Sequence, residues 1–357
     1  MDSSALLKSF AETLQAEGVA SEEIIFIDCA AEMQLKNFDQ LYNLVAEKTA
    51  ELEKFFLLVN EIDRVADWEK TINALFVGEP AEIYVAGLSY SLAEKISALL
   101  PENCDVLKIY PPSFAEYAKN FPAEEAATTL QNFLRYGSLP VISGASEKFL
   151  PIILRGIVYE NLFNMVEKNS LHDAELFRKA IELLAENVGT VTNFNNLADN
   201  LMNRGYLTNV KTSASYFGRS EGLFVKIPRL DIKLGRLIIG AYKFYCVDNG
   251  LLHALRNFAA IDETTLIENA VCIEFLRRGC KVSVGRFGKM SVNFVAERGD
   301  KKIFVQVLPT DGSITPRRIT RPLRSIDGGD KLLISMNREK ISDGVQNLTV
   351  QEFLSGA

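Results

Sequence analysis

Five consecutive residues, Phe55 to Val59 (FFLLV), are all apolar. A short run that is apolar on both faces cannot lie on a surface. It fits a strand covered on both sides, the situation of a parallel sheet packed between helices. Three further runs stand at similar intervals: IIFID (Ile24–Asp28), EIYVA (Glu82–Ala86) and VLKI (Val106–Ile109). Helical periodicity separates them. Leu6, Leu7, Phe10 and Leu14 are spaced three and four apart, and Gly18 closes the segment. Leu41, Leu44 and Val45 share one face, as do Trp68, Ile72 and Leu75, and then Leu92, Ile96 and Leu99. Strand alternating with helix predicts a doubly wound α/β arrangement over the first hundred residues.

Other classes are disfavoured by composition. No apolar run approaches the ~20 residues of a membrane helix, and the start MDSSALLKSF has neither the basic flank nor the apolar core of a signal peptide. A cytoplasmic protein with no membrane contact is expected. The five cysteines, at 29, 104, 246, 272 and 280, form no C-x-x-C pair, and the only histidines are His172 and His253. Reduced, mostly buried thiols and no metal site are expected. A net charge of −7 is not the footprint of a dedicated nucleic-acid binder, although a local basic face remains compatible with it.

Downstream, Ala115 to Val166 reads as largely helical, broken at Tyr136–Pro140 and around Gly144. Phe177 to Arg236 fits a winged helix: two helices ending at Gly189 and Gly205, a third over Lys211–Glu221, then a strand pair. The third helix offers Lys211 and Arg219 to a phosphate backbone. Tyr216, Phe217 and Leu223 equally suit packing inward. Glu263–Arg277 is a helix, followed by the strand-like runs KVSVGR, SVNFVAE, KIFVQVL and KLLIS. TPRRITRPLR brings Arg317, Arg318, Arg321 and Arg324 close together, the densest positive cluster of the chain, suited to phosphate, to an acidic protein surface or to solvent.

Six stretches in order carry a resemblance: FFLLVNEIDRVADWEK, IYVAGLSYSL, YPPSFAEY, FLRYGSLP, KFYCVDNGLLHAL and LIENAVCIEFLRRGCKVSVGR. Together the sequence resembles a prokaryotic AAA-type ATPase family with a P-loop ATPase domain, a winged helix and a C-terminal nuclease-like domain of unknown function. The fold this implies is α/β: an AAA-like parallel sheet lacking the P-loop strand, then a winged-helix segment and a restriction-endonuclease-like α/β domain. The corresponding segments are 1–115, a helical lid or connection over 116–170, the winged helix at 171–240 and the last domain at 241–357. Because the family's loop strand lies between the third and fourth strands, the sheet is expected to close by direct pairing of Glu82–Ala86 with Val106–Ile109.

The resemblance also implies where nucleotide chemistry would sit, and the residues there have changed. No G-x-x-x-x-G-K-[ST] loop is present. Ser3 falls at its lysine and Ser4 at its magnesium-binding hydroxyl. Asn60 replaces the Walker B aspartate while Glu61 keeps the catalytic glutamate. Ser89 stands at the sensor asparagine and Asn103 at the arginine finger. An amide brings no charge to a hard cation, and a lost finger removes ~10³–10⁵ in rate. In the nuclease-like segment Glu268 keeps the helix carboxylate, Ser291 and Asn293 replace the strand acids, Gln306 remains, and Leu308 takes the lysine position. The expectation is a catalytically inactive relative without cofactor, acting as a monomer or simple dimer through a protein partner or weakly through nucleic acid. The alternative is an ATPase that binds ATP and magnesium through a truncated or atypical loop.

Overall fold

The computed structural model describes residues 3–32, 34–78, 81–87, 90–100, 103–120, 126–168, 171–220, 222–341 and 344–356. The chain divides into two compact units, Met1–Lys108 and Ile109–Ala357.

The first unit alternates helix and strand as expected: α1 (Ser3–Ala16), β1 (Ile24–Asp28), α2 (Phe38–Thr49), β2 (Phe55–Asn60), α3 (Trp68–Gly78), β3 (Ala81–Val85) and α4 (Tyr90–Leu99). The three strands form one parallel sheet in the order β1-β2-β3. All six residues of β2 are buried, which is why that run has no polar member before Asn60. Ile25 and Ile27 of β1 pack with Leu41, Val45, Trp68, Ile72 and Leu75 into the unit's core. A short 3₁₀ turn, Ile62–Arg64, follows β2 and seats Ile62 fully buried.

The expected fourth strand does not form. Val106–Ile109 has no strand pairing, and Leu107 is 82% exposed. β3 is therefore an edge strand among the described residues, and the proposed pairing of 82–86 with 106–109 is corrected. Two physical reasons apply. Pro111 and Pro112 follow the run closely; proline carries no N–H, and the residue before one is restricted. A run displaced by one missing strand would also lie about two strand spacings, roughly 9.5 Å, from its neighbour, beyond hydrogen-bond reach.

The second unit begins with helices α5 (Phe114–Asn120), α6 (Ala126–Tyr136), α7 (Leu150–Lys168), α8 (Ala174–Glu186), α9 (Phe194–Asn203) and α10 (Val210–Gly218). A hairpin follows, β4 (Phe224–Asp231) and β5 (Arg236–Cys246), then α11 (Asn249–Leu255) and α12 (Glu263–Arg277). The remainder is β6 (Lys281–Phe287), β7 (Met290–Arg298), β8 (Lys301–Val307), the four-residue helices α13 (Pro316–Ile319) and α14 (Arg321–Arg324), β9 (Asp330–Ser335), β10 (Gln346–Thr349) and α15 (Val350–Leu354). Asx caps set many of the helix starts: Asp173, Asn193, Asn209, Asp248 and Asp262 each accept a backbone N–H of the first turn.

Its seven strands form one mixed sheet, β10-β9-β8-β7-β6-β4-β5. β6, β7 and β8 are an antiparallel meander, β8-β9-β10 run parallel, and β4 joins parallel to β6. Alternation, with a register shift between β6 and β7 that sets Val292 and Phe294 on opposite faces, splits the meander between two cores. Phe294, Ala296, Val305 and Val307 join the large helical core, whereas Val292, Val295 and Phe304 join Leu323 and Ile326 on the other face. The large core runs from Phe114 to Leu354, so the segments 116–170, 171–240 and 241–357 share it rather than packing apart. α10 is shorter than the expected 211–221 helix, because Arg219 already forms its C-cap.

Candidate functional site

Parallel sheets bind ligands at the carboxyl ends of their strands, and that is where the first cluster lies. Register places Asp28, the last residue of β1, beside Asn60, the last of β2. The Asn60 amide nitrogen donates to Asp28 Oδ1 at 2.9 Å. Its oxygen accepts from Ser3 Oγ at 2.6 Å. Ser3 opens α1, which is anchored by the buried Leu7 and Leu14. Ser4 is also buried. Asn60, 3% exposed, thus spends its donor and its acceptor inside the protein. Glu61 has φ +48°, the left-handed region that bulky residues avoid, and its carboxylate pairs with Arg64 in the next turn. Asn103 is an exposed turn residue whose N–H donates to Leu100 O at 3.2 Å. Ser89 lies outside the described residues. Neighbouring Cys29 is buried, and burial followed by the charge of Asp28 pushes its thiol up to about 12, so it stays protonated and inert.

These side chains do not fit a magnesium–nucleotide centre. Magnesium takes near-octahedral oxygen ligation in which carboxylates supply the charge. Asn60 is neutral and doubly engaged, and Glu61 is held by a guanidinium. Among the described residues no group of three or more His, Cys, Asp or Glu side chains is placed to hold a metal.

The second cluster is assembled from four elements of the second unit. Glu268 projects from α12. Its Oε1 accepts from Lys243 Nζ at 2.7 Å and from Tyr245 Oη at 2.5 Å, both on β5; its Oε2 accepts from Asn293 Nδ2 at 2.7 Å, on β7. Asn293 Oδ1 accepts from Val307 N, and Asn293 N donates to Gln306 Oε1, both at 3.2 Å. Gln306 Nε2 donates to Ser291 O at 2.9 Å. Ser291 thus contributes only its backbone, with an exposed side chain. Glu268, Asn293 and Gln306 are therefore brought together, in a network whose charges cancel. The cation comes from Lys243, while Leu308 packs against the smaller core. Tyr245 is fully buried, and desolvation plus the Glu268 charge pushes its hydroxyl well above the usual range. The same causes raise the Cys272 thiol.

Sequence reasoning missed Lys243 and Tyr245. Their signal was spacing: positions i and i+2 of a strand share a face, and here the inward side chains are a lysine and a tyrosine opposite a helix glutamate. It also missed Asp28, whose partner is fixed only by strand register.

Comparison with known proteins places these observations. Residues 4–118 match a family model described as an AAA domain. An uncharacterized protein of Haemophilus influenzae is 31% identical over 316 residues, a match that spans 85% of this chain and 79% of that protein. The chain belongs to the family of that protein. An AAA-type domain opens this family member, and the matched segment continues past Lys108 into α5.

The landmark stretches of this family member meet one another. Asp248, in KFYCVDNGLLHAL, is buried. It caps α11 through Oδ1, and its Oδ2 accepts from Ser138 N at 2.8 Å, in FLRYGSLP. Gly137 has φ +73°, and a Cβ there would lie 1.9 Å from Asp248 Oδ1; a Cβ at Gly250 would lie 2.0 Å from Tyr136 O. Burial raises the Asp248 carboxyl above its usual value, against the three backbone donors that lower it. Asn269, in LIENAV, bonds both backbone groups of Cys246 at 2.8 Å and Asn249 Oδ1 at 3.0 Å. Arg277 donates to Pro111 O at 2.8 Å, in YPPSFAEY. A cavity of only about 20 Å³ remains among them, room for one water. These motifs are junctions of the fold.

The basic candidates separate. Arg317 and Arg318 on α13 and Arg321 and Arg324 on α14 are all exposed, with Arg324 Nη2 donating to Arg317 O at 2.7 Å. Lys211 and Arg219 are exposed at opposite ends of α10, while Tyr216 and Phe217 are buried, Tyr216 edge-on to Phe177 at 5.7 Å. No helix of the described residues is long and apolar enough to cross a membrane.

Proposed function

We propose that this chain is a catalytically silent AAA-type protein that works in the cytoplasm by binding another protein, with no nucleotide cofactor. The carrying observation is Asn60. An amide whose oxygen takes the Ser3 hydroxyl and whose nitrogen serves Asp28 has become a strand-end clasp. The second cluster supports the same reading, since both oxygens of Glu268 are engaged by protein groups. One carboxylate with a lysine already on it is a poor seat for a catalytic cation.

The order α8, α9, α10 and the β4–β5 hairpin supports a winged-helix reading of that segment. α12 laid against β6, β7 and β8 supports a nuclease-like reading of the last third. Burial of Tyr216 and Phe217 favours packing over groove reading for α10. Titration calorimetry with magnesium-ATP, paired with a phosphate-release assay, tests the proposal. No saturable heat and no release are expected. Saturable binding with turnover would establish the alternative, an ATPase with an atypical or truncated loop.

A further inference from the structure

α7 carries apolar side chains on two opposite faces, separated by polar residues such as Arg155, Glu160 and Asn161, and each apolar face of such a helix calls for a partner. Its inner face is satisfied: Leu150, Leu154, Val158 and Leu162 are buried in the large core. The outer face is not. Phe149, whose carbonyl accepts from Ile153 N in the first turn, is 54% exposed, Ile152 65%, Tyr159 59% and Phe163 62%. Isolated exposed apolar residues need no explanation; four along one stripe of one helix do.

The spacing of the stripe is informative. Phe149, Ile152, Gly156, Tyr159 and Phe163 are separated by three, four, three and four residues. That is the a/d seam of a helix meant to pack along another helix. Gly156 is the second observation. Apart from proline, glycine is the worst residue for a helix interior. A Cβ at Gly156 would meet nothing within 4 Å, and its φ is not in the left-handed region. Nothing among the described residues requires glycine there. A hollow in the middle of an exposed seam is explained by an incoming side chain.

The seam supplies that side chain itself. When two copies of α7 are laid antiparallel about a two-fold axis, a positions of one face d positions of the other. Tyr159 of each copy then enters the hollow at Gly156 of the other, and Ile152 of each meets Phe163. Phe149 reaches the half-buried Val166 at the seam's end. The small-against-large match is closed under the two-fold, which an isologous interface demands. We propose that the α7 outer face is a homodimer interface, with a second copy of this chain as its occupant. The four exposed side chains supply roughly 100 Å² each, or about 800 Å² for the pair. With their polar flanks this approaches the lower end of stable interfaces, ~1,200 Å², so a reversible dimer is expected. The inference is independent of whether the nucleotide site is silent.

Sedimentation equilibrium of the full chain tests it. A monomer–dimer equilibrium is expected, with Kd on the order of 10⁻⁶ M. Ile152→Glu combined with Phe163→Glu should give monomer throughout, with unchanged far-UV dichroism and the melting of the dilute wild-type chain, because both sites are exposed. Gly156→Leu should raise Kd at least ~10-fold by filling the hollow. Mixing Ile152→Cys with Phe163→Cys chains should give the crossed disulfide under mild oxidation. A wild-type chain that is monomeric to ~100 μM, or a dimer that the double glutamate leaves intact, overturns the proposal.

Discussion

The two polar clusters differ instructively. Each centres on an asparagine at a strand position where the resemblance leads one to expect an acid, Asn60 in the first unit and Asn293 in the second. Asn60 links a hydroxyl to Asp28 in an arrangement that contains no cation. Asn293 sits against a carboxylate that is already neutralised by Lys243, with both Lys243 and Glu268 only 11% exposed. The same exchange of acid for amide therefore has different consequences. In the first unit it trims a charge from a strand end. In the second it completes a buried network in which every member depends on the others.

The largest effect should come from breaking the charged member of that network. Glu268→Ala leaves a buried ammonium and a buried phenol without their acceptor. A loss of about 3–5 kcal/mol in the second unit's stability is expected, read as a lower urea midpoint. Trp68 is the chain's only tryptophan and is buried in the first unit's core, so its fluorescence follows that unit alone. An unchanged Trp68 transition beside a shifted dichroism transition would sharpen the contrast; a shift of both would break it.

His253 gives the second effect. It is buried against Phe258, its Nε2 finds no hydrogen-bond partner among the described residues, and burial pulls its pKa down from 6.5 to about 4. A depressed folded pKa contributes stability above the unfolded value, which is lost as pH falls from 6.5 through 4. The second unit should lose ~3 kcal/mol across that window. Asp248, raised by burial, has the opposite sign: its contribution is full below the unfolded carboxylate value and fades as pH rises through the raised one. His253→Phe should flatten the slope above pH 4. An unaltered profile would place the titrating group elsewhere.

Asn60→Asp comes third. Restoring the acid sets two carboxylates side by side at adjacent strand ends, and the amide donor to Asp28 is lost. A cost of ~1–2 kcal/mol at neutral pH is expected, relieved on acidification, in the Trp68 transition alone. Phosphate release from ATP should not appear. The smallest effect belongs to Arg317→Ala with Arg321→Ala, within ~0.5 kcal/mol because both are exposed. If that pair weakened salt-sensitive duplex binding, the nucleic-acid reading would gain its first support.

The three paired strands were legible as short apolar runs, although only β2 is buried on both faces along its whole length. Val106–Ile109 is a run of the same kind and did not pair, because pairing also needs a neighbour at one strand spacing and free N–H groups. Asn60, Glu268, Asn293 and Gln306 could be picked out one by one. Their partners could not: Asp28, Lys243 and Tyr245 reach them through register and helix packing across 23 to 32 residues. The exposed seam of α7 is not separable from the buried one by sequence alone, because both lie on one helix and only packing assigns the inner face to Leu150, Leu154, Val158 and Leu162.

The Asp248–Ser138 clamp has a consequence for biosynthesis. Its two ends are 110 residues apart in the chain, and ribosomes add ~5–20 residues per second. The α6 turn therefore waits roughly 5–20 s for its anchor. Arg277, 166 residues beyond Pro111, arrives later still. During that interval the apolar faces of α6 and α7 are synthesised but unroofed. The nascent second unit should therefore expose apolar surface until its sheet is made.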